Sequence, residues 1–534
     1  MFRGKRLKAA VAAAALSLIM TACAGRAGPA ADGMVIAAWG VPQNPLVPGD
    51  TYDSYGIKVV DSFLTGLLTY DPKTSAPVYE NAASITTRDQ QHFTVKLKPD
   101  WTFSDGSPVT ASSYVDAWNY TALASNHQIN SGYFDCIQGY AAVAPASGKA
   151  AATTMSGLKV VDSTTFTVAL NEKFSTWPQT LGDFVFDPLP ASFFKDPSAW
   201  EQHPVGDGPY RISSYTPKEE MVLTPSPGYR GLQRPQNSGI DFKVYTDPNA
   251  AYADLLSGKL DIDDDLPLGE LDNAAKDLHG RYIDLPSASL SRLAFPLYAK
   301  GWSTAASAGL RQGISMAINR PLIIDKILHG TMTPATDWTA PGVSGYAPGL
   351  CGSYCTYDPV RAKQLIDAAG GLPGGSITIS YNADGGNQPW VDAVCNSINN
   401  VMGDEHACAG RPVPTFAELR DQVTGRRMTG PFRDSWEEDY PLAQDFLQPA
   451  YTGDGADNDS GFRSGSFDSL VDEANAAPDT ATADRLYQQA EKQLVTVMPV
   501  IPLWYENSVA GYSAAVSDVA MDGFRTPVYY AVRK

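Results

Sequence analysis

The sequence predicts a protein of the α/β class. Residues 34–39 are almost all apolar, and residues 92–97 alternate between apolar and polar side chains, as strands do. In other segments apolar residues recur every three or four positions, which is the spacing of one helix face. Because the two kinds of segment alternate along the body of the chain without an internal repeat, both strands and helices are expected throughout.

The elements of the first third follow from local patterns. Residues 92–97 should be a half-buried strand, since its apolar side chains share one face. The pair Asp105-Gly106 predicts a tight turn, because glycine supplies a positive φ. Thr110 can cap the helix that follows. An earlier helix is predicted from apolar residues at helical spacing: Val60, Phe63, Leu64, Leu67 and Leu68.

Further elements are predicted later in the chain. Residues 240–244 alternate as a strand, and a helix over residues 250–256 should end at Gly258, a residue that favours helix C-termini. Residues 310–318 carry the apolar spacing of another helix. Pro321 is placed to open the next one, since proline is favoured in the first helical turn.

The composition is that of a folded, acidic protein. Of 534 residues, 43% are hydrophobic and 10% aromatic, which excludes disorder of the whole chain. There are 40 Lys and Arg against 58 Asp and Glu, for a formal net charge of -18. Because neutralising phosphates needs clustered cations, we predict no nucleic-acid partner.

The N-terminus predicts export and lipid anchoring. Residues 1–22 combine a basic start with a short apolar run, which is the layout of a signal peptide. The small residues before Cys23 resemble a lipoprotein signal, in which the cysteine thiol is lipidated; an ordinary secretory signal with an incidental cysteine is the alternative. Residues 23–33 would form the lipid-anchored tether. The predicted location is therefore the outer face of the cytoplasmic membrane.

Five further cysteines lie in the body of the chain. An exported compartment permits disulfides. Pairing Cys351 with Cys355 and Cys395 with Cys408 would close the shortest loops, although spacing alone leaves the connectivity open. Cys136 would then be a buried free thiol. The spacings differ from the paired C-x2-C pattern of zinc ligands, so no metal site is predicted.

Several segments, in the same order along the chain, resemble one protein family. Residues 101–111 (WTFSDGSPVTA), 204–210 (PVGDGPY), 310–320 (LRQGISMAINR) and 499–503 (PVIPL) are similar to segments of extracytoplasmic solute-binding protein family 5, the oligopeptide- and dipeptide-binding proteins. The resemblance implies a two-lobe, type II periplasmic-binding-protein-like fold with an extra inserted domain. It also implies peptide capture by hinge closure and delivery to the permease and ATPase subunits of an ATP-binding-cassette importer.

The resemblance also implies domain limits. Domain I would comprise residues 34–52, 188–290 and 498–534, and domain II would be an insert at residues 53–187. Domain III, the second lobe, would comprise residues 291–497. We expect a monomer that needs no cofactor.

The predicted ligand site centres on residues 436–441, WEEDYP. This segment is similar to the family's Trp-x-x-Asp-Tyr segment, which implies that Asp439 accepts the α-ammonium of a peptide. A buried ammonium needs such a partner, because an unpaired buried charge is costly. The alternative is a solvated acidic loop. The neighbours Trp436, Glu437 and Glu438 are included in the predicted site, where Glu438 either fixes Asp439 or faces solvent.

A strand near Trp39, Gly40 and Val41 is expected to pair with the main chain of the ligand. Main-chain pairing gives affinity without reading the ligand's side chains. Pro42 would limit this pairing, because proline has no N–H to donate.

Two other functions are alternatives. The same fold could bind an oligosaccharide or another small solute, with stacking faces from Trp39, Trp118, Trp338 and Trp436. A cell-wall hydrolase or transferase is the alternative of another class, but the chain has no H-E-x-x-H or G-x-S-x-G segment, so no enzyme is predicted. Residues 261–265 (DIDDD) lack the EF-hand pattern and are expected to be a solvated connection.

Overall fold

The computed structural model describes residues 33–303 and 307–534. The predicted signal peptide, the lipidation site Cys23 and residues 24–32 of the predicted tether lie outside the described residues. Within the described ranges, no helix combines the length and apolarity that crossing a bilayer requires.

Strands and helices alternate along the described chain, as predicted. The strands are β1 (Met34–Trp39), β2 (Leu68–Tyr70), β3 (Pro77–Tyr79), β4 (Ala82–Thr87), β5 (His92–Leu97), β6 (Leu158–Asp162), β7 (Thr165–Ala169), β8 (Tyr210–Thr216), β9 (Glu220–Pro225), β10 (Gly239–Val244), β11 (Ile262–Asp263), β12 (Tyr282–Ala294), β13 (Met332–Pro334), β14 (Ile377–Asn382), β15 (Cys408–Val413), β16 (Phe432–Glu437) and β17 (Val500–Tyr512). The α-helices are α1 (Ser54–Phe63), α2 (Ala111–Ala122), α3 (Tyr140–Val143), α4 (Ala191–Lys195), α5 (Pro197–Gln202), α6 (Pro248–Ser257), α7 (Leu271–Asp277), α8 (Ser307–Ala317), α9 (Arg320–Ile327), α10 (Pro359–Ala368), α11 (Gln388–Met402), α12 (Phe416–Thr424), α13 (Ala443–Tyr451), α14 (Gly465–Asn475) and α15 (Thr480–Val497).

The main sheet is mixed and extends through the whole molecule. Its strand order is β15-β14-β16-β12-β17-β11-β1-β10-β9-β8, with β13 paired to β17. A separate antiparallel sheet has the order β4-β5-β7-β6, and β2 pairs with β3. The separate sheet lies between residues 82 and 169, within the segment predicted as an insert.

The buried apolar side chains form two large clusters. One is built from residues between 288 and 505, and the other from residues between 35 and 262 together with residues 516–532. Because each cluster excludes water separately, the molecule consists of two lobes, and the fold class predicted from the sequence is confirmed. The limits of the three domains stay a prediction.

Two long strands connect the lobes. β12 and β17 run antiparallel, from the pair Tyr282 and Gly511 at one end to Ala294 and Val500 at the other. Their pairing shifts register between Pro286 and Leu290. Such crossing strands are where a hinge is expected.

Several local predictions are confirmed. Residues 92–97 form β5 with its three apolar side chains buried, and Thr110 is the N-cap of α2. Gly258 ends α6 with a φ of 77°. The prediction of a helix through Leu68 was wrong, because α1 ends at Phe63 and the chain is extended at Leu64. The apolar residues beyond that point are buried, but they pack from extended chain rather than from a helix.

The acidic run at residues 261–265 is another correction. Asp261 and Asp263 are buried rather than solvated, because Ile262 and Asp263 form β11 between β1 and β17. Asp261 is paired with Lys534, whose Nζ lies 2.7 Å from Oδ2. The burial of Asp261 and Asp263 is therefore explained by an ion pair and strand pairing, whereas Asp265 at the end of the run is exposed.

The cysteine pairing with the shortest loops is confirmed. Disulfides join Cys351 to Cys355 and Cys395 to Cys408. Cys136 is a free thiol, but it is only half-buried and not fully buried as expected.

Candidate ligand-binding site

A cavity of about 890 Å³ lies between the lobes. This volume is in the upper part of the range of about 300–1,000 Å³ that is typical of small-molecule sites. Its wall combines residues from positions 51–75, 130–187 and 521–530, which belong to one lobe, with residues from positions 437–439 of the other lobe. A ligand here can therefore contact both lobes.

Asp439 lies at this wall, directly after β16. Its Oδ1 accepts a hydrogen bond of 2.7 Å from the hydroxyl of Tyr133, which belongs to the other lobe. Its backbone N–H donates to Oδ2 of Asp445 at 3.1 Å, and the indole N–H of Trp436 donates to the same oxygen at 3.0 Å. These bonds fix both the backbone and the carboxylate of Asp439.

The charge of Asp439 is poorly compensated. Burial raises its pKa above the usual range, the hydrogen bond from Tyr133 lowers it, and the charges of Asp457 and Glu437 raise it further. Burial and the neighbouring Asp439 also raise the pKa of Asp445. Because the described residues contain no ion pair to Asp439, an ammonium group of a ligand is the natural partner.

Carboxylates dominate the rest of the wall. The basic side chains that line it, Lys58 and Arg525, already have partners. Lys58 Nζ lies 2.5 Å from Asp264 Oδ2. Arg525 is bound to Glu437 at 2.6 Å and to Glu506 at 2.9 Å. The other wall carboxylates have no ion pair within the described residues: Asp61, Asp71, Asp183, Asp187, Asp265, Glu438, Asp439 and Asp522.

The residues around Asp439 divide between the two sides of β16. Glu437 and Glu438 line the cavity, as predicted for site neighbours. Trp436 lines a separate cavity of about 230 Å³ instead, and the guanidinium of Arg292 lies 5.6 Å from the centre of its ring. Since neighbouring strand residues point to opposite faces, Trp436 supports the site from behind rather than from its wall.

The structure does not bring Trp39, Gly40 and Val41 to the cavity wall. Trp39 is buried, and its indole N–H donates to the carbonyl of Tyr55 at 2.8 Å. A side chain on Gly40 would collide with the ring of Tyr55. Their predicted pairing with a ligand stays a prediction that the cavity does not support.

The tryptophans considered for sugar stacking are also placed elsewhere. Trp118 and Trp338 are fully buried, with their indole N–H groups donating to Phe186 and Val500. Because Trp39 and Trp436 do not line the main cavity either, none of the four offers a face to a ligand there.

The lobes also touch away from Asp439. The backbone N–H of Ser175 donates to the carbonyl of Asn475 at 2.7 Å, and the side chain of Gln179 donates to Thr480 at 3.0 Å. Tyr133, Asp61 and Asp522 were missed from the sequence, where no local pattern marks them.

The arrangement suits binding of cations by carboxylates. Within the ranges that the structure covers, no group of three or more His, Cys, Asp or Glu side chains is placed to hold a metal ion. Two lobes around an acid-lined cleft define a binding protein for small solutes.

Comparison with known proteins identifies the family. The family model described as "Bacterial extracellular solute-binding proteins, family 5 Middle" matches residues 76–458. The chain belongs to this family, so the resemblance seen in the sequence is confirmed. It is a solute-binding protein and not an enzyme, which rules out the hydrolase or transferase alternative.

Individual relatives are distant but cover nearly the whole chain. The periplasmic murein peptide-binding protein MppA of Escherichia coli K12 is 24% identical over 460 residues, covering 84% of this chain and 83% of MppA. The oligopeptide-binding protein OppA of Bacillus subtilis is 22% identical, covering 90% of this chain and 88% of OppA. The unliganded open form of MppA superposes with a TM-score of 0.81 at 19% identity, covering 94% of this chain and 98% of that one. The structural likeness supports the two-lobe fold.

Proposed function

We propose that this protein captures peptides outside the cytoplasm and delivers them to an ATP-binding-cassette importer. The observation that carries the proposal is the position of Asp439, a carboxylate without a basic partner in the described chain, at the wall of a cleft between two lobes. A peptide's α-ammonium would neutralise it. The names of MppA and OppA, which bind murein peptides and oligopeptides, support a peptide ligand.

Closure of the lobes would follow from contacts that the ligand makes to both. Tyr133 and Asp439 already face each other across the cleft, so an ammonium bound at Asp439 lies next to both lobes. A ligand that contacts both lobes stabilises the closed arrangement over any open one. The bend is expected in β12 and β17, which connect the lobes.

The binding claim is tested with matched ligands. Isothermal titration of the purified mature chain with Ala-Ala-Ala and with its N-acetylated form isolates the contribution of the ammonium. The variant Asp439→Asn should weaken binding of the free peptide by about 2–5 kcal/mol, roughly 30-fold or more, because the ammonium is left buried without a partner. It should change little for the acetylated peptide.

Two outcomes would count against the proposal. Failure of the wild-type chain to bind any member of a tripeptide library would refute a peptide ligand. A neutral oligosaccharide that binds equally well to the wild type and to Asp439→Asn would favour the other solute class.

The membrane attachment is a separate proposal based on Cys23. Lipidation there would hold the binding lobes at the outer face of the cytoplasmic membrane, beside the importer. Mass spectrometry of the mature N-terminus should show a diacylglycerol on Cys23, and Cys23→Ala should release the protein from membranes. An unmodified cysteine would contradict the anchor and leave the binding proposal intact.

A further inference from the structure

The cavity wall carries more carboxyl groups than one α-ammonium can pair with. Both basic side chains on the wall, Lys58 and Arg525, already have carboxylate partners. A peptide whose only cation sits at Asp439 would leave the remaining carboxylates uncompensated. Glu438 is one of these carboxylates.

Glu438 is buried without a partner. Its side chain is 5% exposed, and neither carboxylate oxygen has a hydrogen-bond partner among the residues that the structure describes. The carboxylate lies against the backbone of Gly523, where an added Cβ would come within 3.1 Å of Oε1. An uncompensated buried carboxylate is costly, so the burial of Glu438 indicates that a group of the ligand pairs with its carboxylate.

The neighbours of Glu438 add negative charge. After burial, the charges of Asp522, Glu437 and Asp439 raise the pKa of Glu438, and of these three only Glu437 has a basic partner, Arg525. Asp522 is fixed by backbone N–H groups of Phe524 and Thr526, at 3.0 and 2.9 Å.

Asp61 also lines this cavity and lies close enough to Asp522 for the two charges to interact. Its side chain is exposed within the cleft, where the loss of surrounding water and, as the smaller cause, repulsion from Asp522 raise its pKa. Burial and Asp522 raise the pKa of Glu438 as well. A cation placed among the carboxylates of Glu438, Asp522 and Asp61 would offset both the burial and the repulsion that raise these pKa values.

We propose that Glu438, Asp522 and Asp61 form a second cation subsite, which takes the basic side chain of a lysine or arginine in the bound peptide. This inference rests on the proposed peptide-binding function. Since Glu438 and Asp439 are consecutive, the basic residue is expected among the first residues of the ligand. The preferred substrate is then a peptide with at least two positive charges near its N-terminus.

The test compares peptides that differ only in this charge. Ala-Lys-Ala and Lys-Ala-Ala are titrated beside their counterparts with norleucine, which keeps the aliphatic stem but lacks the ammonium. For the wild-type chain, the better of the two lysine peptides should bind about tenfold or more tightly than its norleucine counterpart. Glu438→Gln should abolish this preference while retaining the affinity for the norleucine peptide.

Asp265→Asn is the matched control variant. Asp265 is an exposed carboxylate on the same cavity, so it contributes to the general field but not to the subsite. The variant should keep the full preference for lysine. Asp522→Asn serves as a second subsite variant, because an amide oxygen can still accept the N–H bonds of the loop; it should reduce the preference.

The outcomes separate this inference from the proposed function. Equal affinity of the wild type for lysine and norleucine peptides overturns the subsite, while peptide binding stands. Full retention of the preference in folded Glu438→Gln also overturns it. Failure to bind any of these peptides overturns the proposed function itself.

Discussion

Tyr133→Phe tests the cross-cleft hydrogen bond to Asp439. The substitution keeps the ring, which packs with Phe186 at a centroid distance of 6.2 Å, and removes only the hydroxyl. That hydroxyl is the side-chain group that holds the pKa of Asp439 down against burial and neighbouring carboxylates. Asp439 should therefore become harder to ionise, and only its ionised form can pair with an ammonium.

The size of the effect follows from the bond that is lost. A hydrogen bond to a charged group contributes about 1.5–3 kcal/mol. One pKa unit corresponds to about 1.4 kcal/mol, so the pKa of Asp439 should rise by about one to two units. A carboxylate whose pKa is raised loses its charge earlier on acidification, so the binding defect of the variant must grow as the pH falls.

The assay is the dissociation constant of Ala-Ala-Ala between about pH 5 and about pH 7, where the peptide amine stays protonated. Because burial raises the pKa of Asp439 to about 6 in the wild type, the ratio of the variant constant to the wild-type constant should increase by about five- to ninefold as the pH falls across this range. Tyr245→Phe is the matched control, because Tyr245 donates to Asp254 at 3.0 Å outside the cavity. A ratio that stays constant with pH would show that Tyr133 only packs, and would refute the electrostatic reasoning.

Three further predictions concern stability. Arg292→Met should lower the free energy of unfolding by about 3–5 kcal/mol in urea titrations, since it leaves buried Asp434 without the guanidinium 2.8 Å away; an unchanged midpoint would contradict this. Burial raises the pKa of Glu491 to about 8, so stability should fall as the pH rises from about 5 to about 8, and Glu491→Gln should flatten that part of the thermal-melting profile. Replacing Cys395 and Cys408 by serine should cost about 3 kcal/mol, measured against the wild type with its disulfides intact, because the bridge joins two cysteines with a sequence separation of 13.

The sequence predicted secondary structure best where a local pattern is compatible with only one type of element. The alternation in residues 92–97 places one set of side chains on a buried face only in a strand, and Gly258 provides the left-handed conformation that ends a helix. The apolar residues from Leu64 to Leu68 were compatible both with a helix and with a buried extended segment. They are buried because the lobe closes around them, and a helical period is not required for that.

The site was predicted only in part, for a related reason. Asp439 was found through the resemblance of its neighbourhood to a family segment, and it lines the cavity. Tyr133 lies 306 positions earlier in the chain, and Asp61 and Asp522 come from opposite ends of the sequence. Only the folded arrangement of the lobes brings these side chains together, so no spacing rule could identify them.

The register shift between β12 and β17 has an energetic consequence. Three residues of β12, Ser287 to Ser289, face a single residue of β17, Glu506, so the ladder is interrupted there, and its register shifts again between Ser291 and Arg292. A change in the angle between the lobes can be absorbed by the few dihedral angles of this interruption without breaking regular interstrand bonds. Reorientation of the lobes should then need little free energy, and nearly all of the ligand's interaction with the second lobe would appear as measured affinity.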